Sequence, residues 1–522
     1  MKAFTSLRRL LCLVLVLLLL TPLTRGQASN VGNRLTVGIQ STKTAVIRPL
    51  DPQERDVMSV YNLVYESLVY IDDNYLPQGS LAKSWEVDGK GRTWTFHLQE
   101  NVVFSDGTPM TAHDVIATAQ YIISRASDEL SSNKGYYANL KMFIKSMSAP
   151  DDHTVIVKAA RPYFGLLYAM TFPVLPAALI ETDNPPGTGP YKISRFEQSD
   201  LFWLETNTAW WQGRPQVEEI MFVCHDTPRS LIESYEYARV DTIFTRSVAA
   251  AQYDSGIISI TMDYCTNQLE TLMFNHANNK LADLRVRQAI RYVVNPDEIA
   301  NTVYMGMVER TDTFMPNGTW MYNSSITSPR DLNEARRLLL EAGWNDTNED
   351  GILDRVDAEG KLEDFTLRLD VYEEPDNNVR LEAANMIKMA LLEVGIDVTV
   401  NNMTYIKIQE RLDAGSFQLA LVSFAMDVCP DPGFLLMKGN TGNFGRYKNN
   451  EMHEMCQELR TCITQEAFQN KLYQIQEKCF QDCVMIPLFY RGGAVLTRMM
   501  YTTFRDVREL ELMRGIQFFG QT

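Results

Sequence analysis

The sequence predicts a mixed α/β protein with more than one lobe, and three observations lead there. Strand-like alternation and helix-like apolar stripes interleave irregularly along the chain. Its 522 residues suffice for roughly three domains. A Pro- and Gly-rich stretch, Asn184-Pro-Pro-Gly-Thr-Gly-Pro190, sits where a connection between lobes would run.

In chain order, residues 1–28 predict an export signal. Lys2, Arg8 and Arg9 precede an apolar run, Leu10 to Leu20, that is too short to span a bilayer, and Gly26-Gln27-Ala28 offers small residues for cleavage near Ala28. A lipid anchor would need a cysteine just after that run, behind a small residue. Cys12 lies inside it, behind Leu11. The expectation is a secreted, soluble protein, periplasmic or extracellular. Leu35 to Ile39 then alternates as a strand. Trp94, Phe96 and Leu98 define another, which runs into the turn Ser105-Asp106-Gly107-Thr108-Pro109. Thr111 is placed to cap a helix beginning near Ala112. Thr154–Val157 and Glu219–Val223 read as strands. Val286, Ala289, Ile290 and Val293 share one helix face, as do Ala335, Leu338, Leu339 and Ala342. A third stripe, Ala384, Ile387, Leu391 and Val394, stops at Gly395 and passes into a strand through Ile396, Val398 and Val400.

The formal charge is −16, and loss of the basic signal makes the mature chain more acidic still. That disfavours nucleic acid and anionic membrane surfaces as partners. No second apolar run reaches the roughly 18 residues a membrane helix needs. Among the catalytic patterns sought, the chain has no H-E-x-x-H, no G-x-S-x-G and no phosphate-cradling loop, so no enzymatic activity is expected. His97 and His113 read as structural, and Glu373-Glu374 as part of a solvated loop before Pro375. Seven cysteines follow the signal: Cys224, Cys265, Cys429, Cys456, Cys462, Cys479 and Cys483. The last four fall on two consecutive helices, where one or two disulfides could staple the pair. Their spacings of six, seventeen and four do not suit a zinc site. Asp346, Asn348, Asp350, Asp354 and Asp357 occupy positions 1, 3, 5, 9 and 12 of a calcium-loop pattern, with Gly351 at its turning position. Asp357 stands where a bidentate Glu is usual, and a tight surface turn is the competing reading. Calcium is the one cofactor the chain suggests.

Seven segments in register resemble the extracellular solute-binding proteins, family 5, of peptide/nickel-type ABC transporters. They are the block from Val64-Tyr65-Glu66 through Val115, Gly187-Thr-Gly-Pro-Tyr-Lys192, Asn207 to Pro215, Phe274-Asn275 with Asp283 to Ile290, Glu341-Ala-Gly-Trp344 with Asp350-Gly351, Val394-Gly-Ile396, and Pro487-Leu-Phe-Tyr490. The resemblance implies a two-lobed periplasmic-binding-protein fold (class II, cluster C type) with a hinge and an inserted subdomain. Lobe I would comprise 29–65, 187–270 and 491–522, the inserted subdomain 66–186 and lobe II 271–490. It implies capture of a peptide between the lobes by a monomer, and delivery to an ABC permease with a cytoplasmic ATPase. The alternative is a non-peptide solute: a nickel chelate, an oligosaccharide or an opine.

Asp427 is the foremost candidate for ligand binding. It follows the apolar strand Leu419–Met426 and precedes the Pro-broken Cys429-Pro-Asp-Pro432, so its carboxylate could meet a ligand ammonium. The segment resembles the family element whose Asp holds a peptide's α-amino group, with Ser423-Phe424 in place of Gly-Trp. Phe424, Met426, Tyr405 and Phe444 are expected around it, and Trp203, Trp210 and Trp211 are further aromatics that could line a cleft. The resemblance leaves the far end of the ligand without a partner. Arg380 comes several residues later than the arginine of dipeptide-type relatives, and the strand before Asp427 is uncharged.

Overall fold

The structure is a computed structural model. It describes residues 34–498 apart from 43–46, 52–53, 128–136, 198–199, 254–259, 357–359 and 375–376, together with Glu509 and 511–518. The export signal and Asp357 lie outside the described residues.

The strands read at Leu35–Ile39, Glu219–Val223, Ile396–Val400 and Leu419–Met426 join others in one large mixed sheet. Across it, the order is Asp397–Met403, Thr366–Tyr372, Leu419–Ala425, Ile260–Phe274, Met485–Thr497, Thr242–Thr245, Arg34–Gln40, Glu219–His225, Leu201–Thr206 and Tyr191–Glu197. Val308–Arg310 adds to Met485–Thr497. Arg34–Gln40 lies parallel between two neighbours, and Leu35, Val37 and Ile39 are fully buried, as is usual for the parallel part of a sheet. Thr366–Tyr372 is parallel to Asp397–Met403 and Leu419–Ala425, and the helix Val379–Leu392 crosses between the first two. That helix ends where Gly395 takes φ +80°, a backbone state that costs glycine nothing.

Two long antiparallel strands, Ile260–Phe274 and Met485–Thr497, join the halves of this sheet. One end of the pair lies beside Thr242–Thr245 and the other beside Leu419–Ala425. Their ladder breaks register between Cys265 and Leu269, which leaves Thr266, Asn267 and Gln268 as a bulge at the crossing. Just before the bulge, Gly493 faces Tyr264 across the pair: a Cβ there would lie 2.3 Å from the Tyr264 ring. The sequence-based lobe boundaries at 270/271 and 490/491 fall within these two strands.

A separate four-stranded sheet, in the order Ala82–Val87, Thr93–Leu98, Thr154–Ala159 and Ile144–Asp151, forms within the 66–186 segment. Trp94, Phe96 and Leu98 alternate inward. The expected helix spans Ala112–Ser127. At its start Asp114 reaches back to accept from the Thr111 amide at 2.8 Å and its hydroxyl at 2.9 Å, so the Thr111 hydroxyl donates to Asp114. The segment returns through Gly187-Thr-Gly189, which lies against the end of the helix Arg55–Val64. A Cβ at Gly187 would stand 1.9 Å from the Val64 carbonyl oxygen, so only glycine fits.

The helices Asn450–Leu459 and Gln465–Gln481 form as expected, but the staple does not. Among the described residues all seven cysteines are free thiols. Cys462 turns its Sγ to the carbonyls of Glu458 and Ala467 in the connecting loop. Cys456, Cys479 and Cys483 are buried thiols, and Cys483 lies beyond the helix end at φ +45°.

Candidate ligand-binding site

A cleft of about 440 Å³ opens where the crossing strands, the inserted segment and the chain after Leu419–Ala425 meet. Its volume is within the range of small-ligand sites. Asn267 and Gln268 of the bulge form part of its floor, and Met426 and Asp427 face it from the strand end. The Met426 amide donates to the Asn267 carbonyl at 2.8 Å, which ties the strand end to the bulge. Tyr137 to Thr171 supply one wall, and Arg55, Arg246 and Glu509 another. A smaller recess of about 60 Å³, reaching Tyr61 and Tyr65, shares Met58, Tyr137 and Glu509 with the cleft.

Asp427 is open to the cleft, yet protein crowds its carboxylate. That desolvation pushes its pKa above the usual carboxylate range, opposed by the amides of Cys429, at 3.2 Å, and Val428. Among the described residues no cation pairs with it. Asp431, four residues on, is committed: Arg460 Nε stands 2.6 Å from it, and the Tyr163 hydroxyl donates to it at 3.4 Å. Tyr163 also lies 3.2 Å from Cys429 Sγ, and the Phe164 amide donates to the Cys462 carbonyl at 2.7 Å. These contacts close the inserted segment against 429–462 beside the cleft.

Of the other candidates, only Met426 joins Asp427 in the cleft lining. Phe424 points to the opposite face of its strand, buried and stacked on Phe444 at 6.2 Å. Tyr405 begins the helix Tyr405–Ala414, is 61% exposed and packs edge-on against Tyr372. Trp203 and Trp210 are buried. Trp210 and Trp211 donate their indole N–H groups to the Glu66 carboxylate at 3.2 and 2.9 Å.

Arg380 is withdrawn from any ligand. It is 1% exposed and pairs with Glu270 at 2.6 Å and Glu374 at 2.8 Å, with the Tyr372 ring 4.0 Å away. Arg491 closes the same network on Glu374 at 2.5 Å. Glu374 is therefore not a solvated loop residue. Burial alone would raise its pKa, but Arg380 and Arg491 hold it below the usual range. Sequence reasoning passed over Arg55 and Arg246. Arg246 follows directly on Thr242–Thr245, and a strand end is where α/β sheets place ligand contacts. Nothing local to Arg55 marks it.

In the 346–354 loop, Asp346 accepts from the amides of Asp350 and Gly351 at 3.1 and 3.0 Å. The Asn348 amide donates to Asp350 at 2.9 Å. Asp354 is buried and accepts from the Thr347 hydroxyl at 2.6 Å. These oxygens serve the turn itself. Among the described residues no three His, Cys, Asp or Glu side chains converge as a metal-ligand cluster. His97 and His113 lie at the surface near Glu86 and Asp152, 3.5 and 3.9 Å away.

Two halves of a sheet joined by a strand pair, with a cleft at the crossing, define a two-lobed solute-binding protein. The model of "Bacterial extracellular solute-binding proteins, family 5 Middle" matches residues 77–446, and the chain belongs to that family. The oligopeptide-binding protein AppA of Bacillus subtilis is 24% identical over 486 residues, covering 87% of this chain and 86% of its own. The probable ABC transporter periplasmic-binding protein SapA of Escherichia coli is 25% identical over 393 residues, with 70% and 69% covered. Among solved structures, AppA of Bacillus subtilis in complex with a nonapeptide superposes with TM-score 0.68 at 20% identity, covering 93% of this chain and 98% of that one. NikA of Brucella suis in complex with Fe(III)-EDTA does so with TM-score 0.78 at 20% identity, covering 93% and 99%. Among the described residues no helix is long and apolar enough to cross a membrane.

Proposed function

We propose that this protein is the substrate-binding component of an ABC transporter, capturing peptides in the cleft and delivering them to a membrane permease coupled to a cytoplasmic ATPase. The observation that carries this reading is Asp427. It presents a carboxylate without an ionic partner among the described residues, at a strand end facing a cleft of about 440 Å³. An ammonium arriving there gains a charge-assisted hydrogen bond and relieves the desolvated charge. The peptide-binding names of the relatives support the same reading. The cargo leaves unaltered, and the protein works outside the cytoplasm as a monomer.

Asp427→Asn keeps the shape and removes the charge. Peptide binding should weaken by about 1.5–3 kcal/mol, the range for a hydrogen bond to a charged group. The probes are peptides identified by native mass spectrometry of the freshly purified protein, and the readout is calorimetry. Equal affinities for both proteins would remove Asp427 from the site.

A further inference from the structure

Another part of the cleft lining carries two guanidinium groups that close on one carboxylate. Arg246 Nε stands 3.1 Å from Glu509 Oε1, and a second Arg246 nitrogen meets Oε2. Arg55 Nη1 lies 3.5 Å from Oε1. Arg55 is itself braced by Asp56 at 2.5 Å, whose other oxygen accepts the Gln40 amide at 2.8 Å. The Tyr264 hydroxyl is buried with no hydrogen-bond partner among the described residues. All three members of the Arg55–Glu509–Arg246 triad line the cleft. A planar carboxylate hydrogen-bonded through Oε1 to one arginine, in ion-pair contact with it through Oε2, and flanked by a second arginine is an arrangement that would recognise a peptide's terminal carboxylate.

We infer that Glu509 stands in for a ligand carboxylate. It fills the two-arginine cradle from within the chain, and the cargo is a peptide held by its ammonium end whose C-terminal carboxylate makes no contact in the cleft. The inference rests on the Asp427 reading and adds which peptide end is read. Arg380 and Arg491 are tied to Glu270 and Glu374, so they do not compete for that carboxylate. Specificity is a difference of affinities, and an occupied cradle removes the difference between a free and a blocked C-terminus.

The test uses the full mature chain and mixed-sequence tetra- to hexapeptide pools in three forms: both ends free, C-terminally amidated, and N-acetylated. Retention is quantified by mass spectrometry. Wild type should retain free-acid and amidated pools within about twofold. Glu509→Gln empties the cradle of its charge and should then favour free acids by about tenfold, as one charge-assisted bond would. A tenfold preference for free acids in wild type overturns the inference, as does the absence of any new preference in Glu509→Gln. N-acetylated peptides retained as well as free amines would instead overturn the Asp427 reading, leaving the acid-to-amide comparison to judge Glu509. Retention of no pool overturns both.

Discussion

Glu66 and Asp427 are both carboxylates crowded by protein, and their surroundings separate their roles. Asp427 opens onto the cleft. Glu66 is turned inward beneath Trp210 and Trp211, and burial pushes its pKa up to about 7, against the lowering effect of the two indole donors. Its unfolded reference is 4.5, so the folded state holds the proton more tightly. The stability this contributes is complete below pH 4.5 and is lost as pH rises to about 7. Glu66→Gln should flatten that fall, leaving a melting temperature at pH 7.5 a few degrees above wild type. Thermal unfolding from pH 4.5 to 7.5 measures it, and parallel curves for both proteins would refute it. Glu66 sits in the family-like Val64-Tyr65-Glu66 segment, but its buried environment was not legible there, because the indole donors come from residues about 145 positions away.

At the scale of elements, the crossing strands are held by charge as well as by their ladder. Glu270 on one, Arg491 on the other, Glu374 after Thr366–Tyr372 and Arg380 at the start of Val379–Leu392 form a single buried network, with Ser423 donating to Glu270 at 2.5 Å. Breaking a buried ion pair strands a charge, so Arg380→Met should destabilise by about 3–5 kcal/mol. Arg380→Met with Glu270→Met should recover a large part of that loss, because neither charge is left alone. Urea unfolding of the three proteins tests this, and additive losses would contradict it. The helix itself was legible from its apolar stripe. The commitment of Arg380 was not, since Glu270 is 110 positions away in sequence.

For the whole molecule, the strand pair that joins the sheet halves also sets where they can move. The bulge at Thr266–Gln268 interrupts the regular bonding of that crossing, with Gly492 and Gly493 next to it on the partner strand. Ligand contacts from both sides favour the closed arrangement, and beside the cleft Tyr163 of the inserted segment already meets Asp431 at 3.4 Å. Saturating peptide should lower the radius of gyration in solution scattering. At 100 times Kd it should stabilise folding by about 2.7 kcal/mol. Unchanged scattering with bound peptide would show that the lobes do not close on it.

By itself the sequence marked several of the elements, because periodicity and turn chemistry act between neighbours, and its seven family-like segments marked the family. It also marked Asp427, whose place at a strand end is a local property. Tertiary structure alone decided which charges remain for a ligand. Arg380 and Arg491 are neutralised by Glu270 and Glu374, Arg55 and Arg246 close on Glu509, and Phe424, Phe444 and Tyr405 turn away from the cleft. Pairing and facing depend on segments brought together from distant parts of the chain, and a charge's availability is known only when its partners are in place.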